Sequence, residues 1–93
     1  TMHITSGSDQ EELRYLCKAM HIEELFKSIH GSPKPKKEWV KELIYQEQYN
    51  SNQCLLIGDS LNDWDAADSN DIYFMGYNAH QAVMDKTNYK LII

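Results

Sequence analysis

Two aspartates four residues apart, Asp59 and Asp63, follow the apolar run Cys54-Leu55-Leu56-Ile57 in the segment Gly58-Asp59-Ser60-Leu61-Asn62-Asp63. A carboxylate at a strand end and a second at a helix start can converge on one hard cation, and magnesium prefers a few carboxylates completed by water. Gly58 lets the backbone approach closely, and Ser60 or Asn62 can orient bound water. A second cluster, Ser6-Gly7, follows a short extended run and precedes a helix start. A hydroxyl, a flexible amide and a positive helix end together form an anion cradle. Third, Lys34 and Lys36 flank Pro35 and bring ammonium groups able to neutralise a phosphate or offset a carboxylate. Taken singly, each cluster also has a plainer reading. Asp59 ends a strand, Asp63 caps a helix, Ser6-Gly7 is a turn, and lysines in a proline-rich turn are solvated.

The elements that must position these groups alternate between strand and helix. Met2 to Thr5 reads as a brief strand stopped by Ser6-Gly7-Ser8, with Ser8 as N-cap and Glu11 completing a capping box. A helix to about Met20 follows, with Leu13, Leu16, Cys17 and Met20 on one apolar face. His21 to Phe26 reads as a helical turn and Ser28 to His30 as a small strand. Pro33 and Pro35 exclude helix or central strand, and Pro35 suits the first turn of a helix carrying Trp39, Val40, Leu43, Ile44 and Tyr45 inward. Cys54 to Ile57 has the continuous apolar character of a strand buried on both faces. Asn62 or Asp63 caps a short helix containing Trp64, Ala66 and Ala67. Ile72 to Met75 is a strand ending at Gly76, a weak helix runs from Ala79 to about Lys86, and Tyr89 to Ile93 reads as extended.

Strand–helix–strand order with an apolar strand implies an α/β fold built on a parallel sheet with flanking helices. The three polar clusters then fall just past the carboxyl ends of three strands, where open parallel sheets bind ligands. Composition bounds the rest. Ninety-three residues, 42% hydrophobic and 25% charged, describe one small soluble globular domain with a small core. A net charge of −5, with Asp59, Asp63, Asp65, Asp68 and Asp71 within thirteen positions, disfavours nucleic acid and anionic membrane surfaces as partners. No apolar run approaches a membrane span, and no basic-then-apolar leader opens the chain. Cys17 and Cys54 read as reduced thiols of a cytoplasmic protein. There is no Walker-type glycine loop and no dinucleotide fingerprint. His3, His21, His30 and His80 are scattered without ligand spacing, and Trp39 and Trp64 read as packing residues.

Hydroxyl, lysine and carboxylate pair, in that order and each after its own strand, resemble motifs II, III and IV of the haloacid dehalogenase-like (HAD) hydrolase superfamily. The text that carries the resemblance is ITSGSDQEEL, GSPKPKKEWVKEL and CLLIGDSLNDWDAA, the last being the most specific. It spans residues 2 to about 78 and is nearest to phosphatases of the phosphoglycolate-phosphatase type. The resemblance implies a Rossmann-like fold and a magnesium-dependent phosphatase acting on a small phosphorylated metabolite. By position it implies that Ser6 binds a phosphoryl oxygen, with Gly7 offering its amide. Lys36 falls where the GSPxxK form of motif III places its lysine, with Lys34 as the alternate. Asp59 is implied as a direct Mg2+ ligand and Asp63 as a ligand directly or through water, while Asp65 lies close to the alternative spacing of the second acid. A separation of thirty positions from Ser6 to Lys36 leaves no room there for a cap domain.

One part of the family pattern has no counterpart. The superfamily attacks phosphate with an aspartate in a DxDx[TV] motif at the end of an apolar strand, forming an aspartyl-phosphate. The DxD in this sequence, Asp63-Trp64-Asp65, follows Ser-Leu-Asn, has Ala67 where Thr or Val is needed, and belongs to the motif IV segment. The expectation is therefore the carboxyl-terminal part of a HAD-like core, lacking the amino-terminal nucleophile strand and the cap, and inactive alone. In the family that strand lies mid-sheet, between the motif II and motif IV strands. Its loss implies that those two strands close up, or that another chain supplies a strand by swapping or augmentation. The competing expectation is a non-catalytic scaffold or protein-interaction module on the same fold.

Overall fold

Strand and helix alternate along the chain, as the hydrophobic pattern requires. The structure, a computed structural model, describes residues 1–89. The architecture is α/β, made of two parallel strand pairs with flanking helices. The chain divides into two compact units, Thr1–Trp39 and Val40–Ile93.

In the first unit, β1 (His3–Asp9) pairs in parallel with β2 (Ser28–Ser32), and α1 (Gln10–Ala19) connects them through a 3-10 turn at Glu23–Leu25. Register runs His3↔Ser28, Ile4↔Ile29 and Thr5↔His30, then resumes at Asp9↔Ser32. β1 thus advances four positions from Thr5 to Asp9 while β2 advances two from His30 to Ser32. The surplus is a bulge at Ser6-Gly7-Ser8, a device that re-aims side chains at a strand end. The strand therefore does not stop at Thr5. Because the chain stays extended through Asp9, the helix cap also moves: Asp9, not Ser8, accepts the Glu12 amide at 3.1 Å. Cys17 is buried, but Leu16 and Met20 are exposed, so the helical stripe is narrower than its spacing implied. α1 is tied to β2 by Arg14 Nε donating to the Ile29 carbonyl at 3.0 Å and by the Gly31 amide donating to Gln10 Oε1 at 3.3 Å.

Gly31 is fixed by that approach. A Cβ there would meet the Ser8 carbonyl and would sit 2.8 Å from Gln10 Cα and 2.9 Å from Gln10 N. All three are backbone atoms and cannot swing aside. Gly31→Ala is expected to cost about 1–3 kcal/mol as an overpacking substitution, read as a lowered thermal midpoint. Gly7→Ala is the control, because nothing lies within 4 Å of a Cβ at Gly7.

α2 (Lys36–Gln46) begins after Pro35, whose carbonyl accepts the Glu38 and Trp39 amides, each at 3.1 Å. The boundary between the units falls within this helix. Val40 and Leu43 are buried, while Tyr45 is 84% exposed and does not turn inward.

In the second unit, β3 (Leu55–Gly58) pairs in parallel with β4 (Tyr73–Gly76), in the register Leu55↔Tyr73 to Gly58↔Gly76. Between them runs α3 (Leu61–Ser69), and α4 (Gln81–Met84) follows β4. Val40, Ala66, Ala67, Ile72, Phe74 and Val83 form the core, with Ile44, Cys54, Leu56, Trp64 and Ala79 against it. The far edge of β4 is closed by side chains. Asn88 exchanges two hydrogen bonds with Phe74, and Thr87 Oγ accepts the Gly76 amide at 2.9 Å. β3 is not buried on both faces: Ile57 is 60% exposed and Leu55 37%. An apolar strand needs a cover on each side, and here the alternate residues Leu56 and Phe74 take the packed side. α4 is one turn long, shorter than the pattern to Lys86 suggested. The expected extension through Tyr89–Ile93 lies outside the described residues from position 90 onward.

Cys17 and Cys54 are free thiols, and burial pushes the Cys54 thiol up from its ordinary value. No helix among the described residues is long and apolar enough to cross a membrane.

Candidate functional site

The motif residues fall at strand ends in both units. In the first, Ser6 and Gly7 lie within the β1 bulge. Ser6 Oγ accepts the Ser8 amide at 3.1 Å. A hydroxyl used as an acceptor keeps its own hydrogen to donate, so this bond orients Ser6 without exhausting it. Gly7 is exposed and has an ordinary negative-φ backbone, so neither close packing nor a left-handed conformation requires a glycine there.

The lysine loop follows β2 and is organised by Trp39. The indole Nε1 donates to the Gly31 carbonyl at 2.9 Å, and the His30 ring stacks on the indole at 4.1 Å between centroids. Lys34 places its ammonium 4.4 Å from the indole centroid, a cation–π contact worth about 0.5–1 kcal/mol at an exposed site. Trp39 is therefore more than packing, because it holds the loop between two prolines. The Ser32–Pro33 peptide in that loop is cis. Lys36 is the first residue of α2, two positions beyond the lysine on the indole.

In the second unit the carboxylates divide their roles. α3 is capped by Ser60, not by Asn62 or Asp63, and Asp63 is the third helical residue of a full capping box. The Asp63 amide donates to Ser60 Oγ at 3.1 Å. In return Asp63 Oδ2 accepts the Asp59 amide at 3.0 Å, the Ser60 amide at 3.2 Å and Ser60 Oγ at 3.0 Å. Asp63 is 4% exposed, a buried charged residue. Three donors on one oxygen satisfy a carboxylate that burial alone would penalise. Gly58 makes this possible: a Cβ at Gly58 would fall on Asp63 Cβ, Cγ and Oδ2, well inside van der Waals contact.

Asp59 has the opposite environment. Its backbone amide is used by Asp63, while its side chain is exposed and makes no hydrogen bond among the described residues. The loop thus holds one carboxylate inward to fix its own shape and presents the other at the carboxyl end of β3. Asp59 lines a solvent-open depression of about 670 Å³ with Ser60, Asn78, Ala79, His80 and Met84. That Asn78 and His80 share a depression with Asp59 was not legible, since a lone Asn and a scattered His carry no spacing signal. Their position just past the carboxyl end of β4 was the available clue.

Among the described residues, no group of three or more His, Cys, Asp or Glu side chains gathers as a metal cage. Magnesium does not need one, because it commonly takes one or two carboxylates and keeps several waters. Asp59 fits the role of direct ligand. Asp63 commits Oδ2 to three loop donors and so shapes the loop that carries Asp59.

Parallel strand pairs with flanking helices, and polar loops at the carboxyl ends of the strands, place the chain in the Rossmann-like α/β class. The family model described as haloacid dehalogenase-like hydrolase matches residues 1–77, and the chain belongs to that family. No curated protein and no solved structure matches it.

Proposed function

We propose that this chain supplies the phosphate- and magnesium-binding part of a phosphoric monoester hydrolase of the phosphoglycolate-phosphatase type. The observation that carries the reading is the division of labour between the carboxylates: Asp63 is buried with Oδ2 accepting three loop donors, while the Asp59 side chain is exposed at the strand end and makes no hydrogen bond among the described residues. A loop built to present one bare carboxylate suits a cation that is itself shared with substrate oxygens.

Each residue then has a task. Asp59 ligates Mg2+, which when bound offsets charge on the phosphoryl oxygens. Asp63 orients the Asp59 backbone through the capping box. Ser6 donates its hydroxyl hydrogen to a phosphoryl oxygen, and the Gly7 amide can add a second donor. Lys36 offsets charge at the phosphoryl group as it transfers, and Lys34 holds the loop through Trp39. The nucleophile is an aspartate on a strand outside these 93 residues, and the substrate is a small phosphorylated metabolite. A strand supplied by another part of the protein or by a second chain fits the same reading, since β3 pairs only with β4 among the described residues while the far edge of β4 is closed by Thr87 and Asn88.

The test pairs two readouts on the chain as it stands. With p-nitrophenyl phosphate and Mg2+, no metal-dependent turnover is expected, while Mg2+ itself binds saturably. Turnover that disappears in Asp59→Asn would overturn the placement of the nucleophile outside the chain. Loss of both readouts would favour a scaffold on the same fold.

A further inference from the structure

Three polar side chains lining the depression at the carboxyl ends of β3 and β4 make no side-chain hydrogen bond among the described residues. Asp59 is one of them. Asn78 is exposed, adopts φ 50° and makes no side-chain hydrogen bond among the described residues. His80 is exposed and occupies the cap position of α4 without a side-chain capping bond. Most polar side chains at turns and helix starts are used locally. Among the described residues none of the three is bonded through its side chain, although asparagine tolerates the φ of 50° at position 78 better than most residues do, and all three line one solvent-open depression.

The backbone beneath them is held. The Tyr77 amide donates to the Gly58 carbonyl at 2.9 Å, which ties the segment after β4 to the start of the Asp59 loop. Gly76 lies close under α4: a Cβ there would sit 3.1 Å from Met84 Sδ and 3.2 Å from the Val83 carbonyl. Val83 is 5% exposed and anchors α4 in the core. Asn78 and His80 therefore project from a braced segment, which is how a binding group keeps its geometry. A hydrogen-bonding imidazole and amide that line the same depression as an exposed carboxylate suit an anion bridged by a cation.

We propose that Asn78 and His80 are binding residues for the phosphoryl group, on the wall of the depression that Asp59 also lines. Each donates a hydrogen bond to an oxygen of a phosphate monoester whose other oxygens face the cation. This rests on the reading of Asp59 as the magnesium ligand. Without the cation, Asp59 repels the anion across the same depression, so phosphate binding is coupled to magnesium.

The probes are Mg2+ and inorganic phosphate, added to the intact chain and followed by NMR of the His80 ring and the Asn78 side-chain amide. With Mg2+ present, phosphate is expected to move both signals saturably. His80→Ala is expected to weaken phosphate binding roughly tenfold, the scale of one hydrogen bond to a charged group. It should leave magnesium affinity and circular dichroism unchanged, and His80→Gln, which keeps a donor, should recover part of the loss. Magnesium binding with phosphate that leaves the His80 signal unmoved, or His80→Ala indistinguishable from wild type, overturns the proposal and spares the metal assignment. Failure of magnesium to bind overturns that assignment instead. In that case a phosphate-induced shift at His80 keeps the anion wall, and silence there removes both.

Discussion

Gly58→Ala is expected to destabilise the chain by about 1–3 kcal/mol and Asp63→Ala by about 2–4 kcal/mol, and the two losses should fail to add. The first inserts a methyl group where Asp63 Cβ, Cγ and Oδ2 already lie. The second removes an acceptor shared by the Asp59 amide, the Ser60 amide and Ser60 Oγ, and breaks the capping box of α3. Once Asp63 is alanine, two of the three atoms that obstruct a methyl at position 58 are gone. Gly58→Ala should therefore cost less in that background, with a coupling of about 1 kcal/mol or more. Urea denaturation of the wild type, both single variants and the double variant gives the cycle. Simple additivity would show that Gly58 is needed for some reason other than the inward turn of Asp63.

The acidic loop was the part most legible in the sequence, because its chemistry is local. A Ser followed three residues later by an acid, just after an apolar run, is a capping signature that needs no knowledge of the rest of the fold. Even so, the cap moved to Ser60 and Asp63 became its reciprocal partner. The choice between Ser8 and Asp9 at α1 was not local. It depended on where β1 ends, and that is set by the distant pairing of Asp9 with Ser32. Burial was harder still. The run Cys54 to Ile57 shows that the strand tolerates burial on both faces, but nothing in it says what covers Ile57, which is 60% exposed. Trp39 was legible as a helix-face aromatic and not as the platform for Lys34 and His30, since both partners come from the preceding strand and loop. His80 carried no spacing signal at all, and only the packing of α4 against Gly76 brings it to the depression with Asp59.

The second large effect separates the two aspartates. Asp59→Asn is expected to leave stability within about 0.5 kcal/mol of wild type, because an exposed side chain without a hydrogen bond is lost. Its effect falls on metal binding, since a neutral amide replaces the carboxylate that faces the cation. A loss of magnesium affinity of tenfold or more is expected, the scale of one charged ligand in water. Asp63→Asn should show the reverse order. Its main effect is on stability, as the amide accepts the loop hydrogen bonds less strongly than a carboxylate does. Its effect on magnesium is indirect, through the position of the Asp59 backbone. Equal and large losses of magnesium binding in both variants would instead make Asp63 a direct ligand.

The proposed function depends on Asp59 being presented by its loop as the ligand for a hard cation. Titration of the chain with Mg2+, following the backbone amides of residues 58–63 by NMR, tests this most directly. The predicted result is a saturable shift centred on Gly58, Asp59 and Ser60 that Asp59→Asn abolishes while the rest of the spectrum stays folded. Amides that do not move with Mg2+, or a shift that survives Asp59→Asn unchanged, would contradict it.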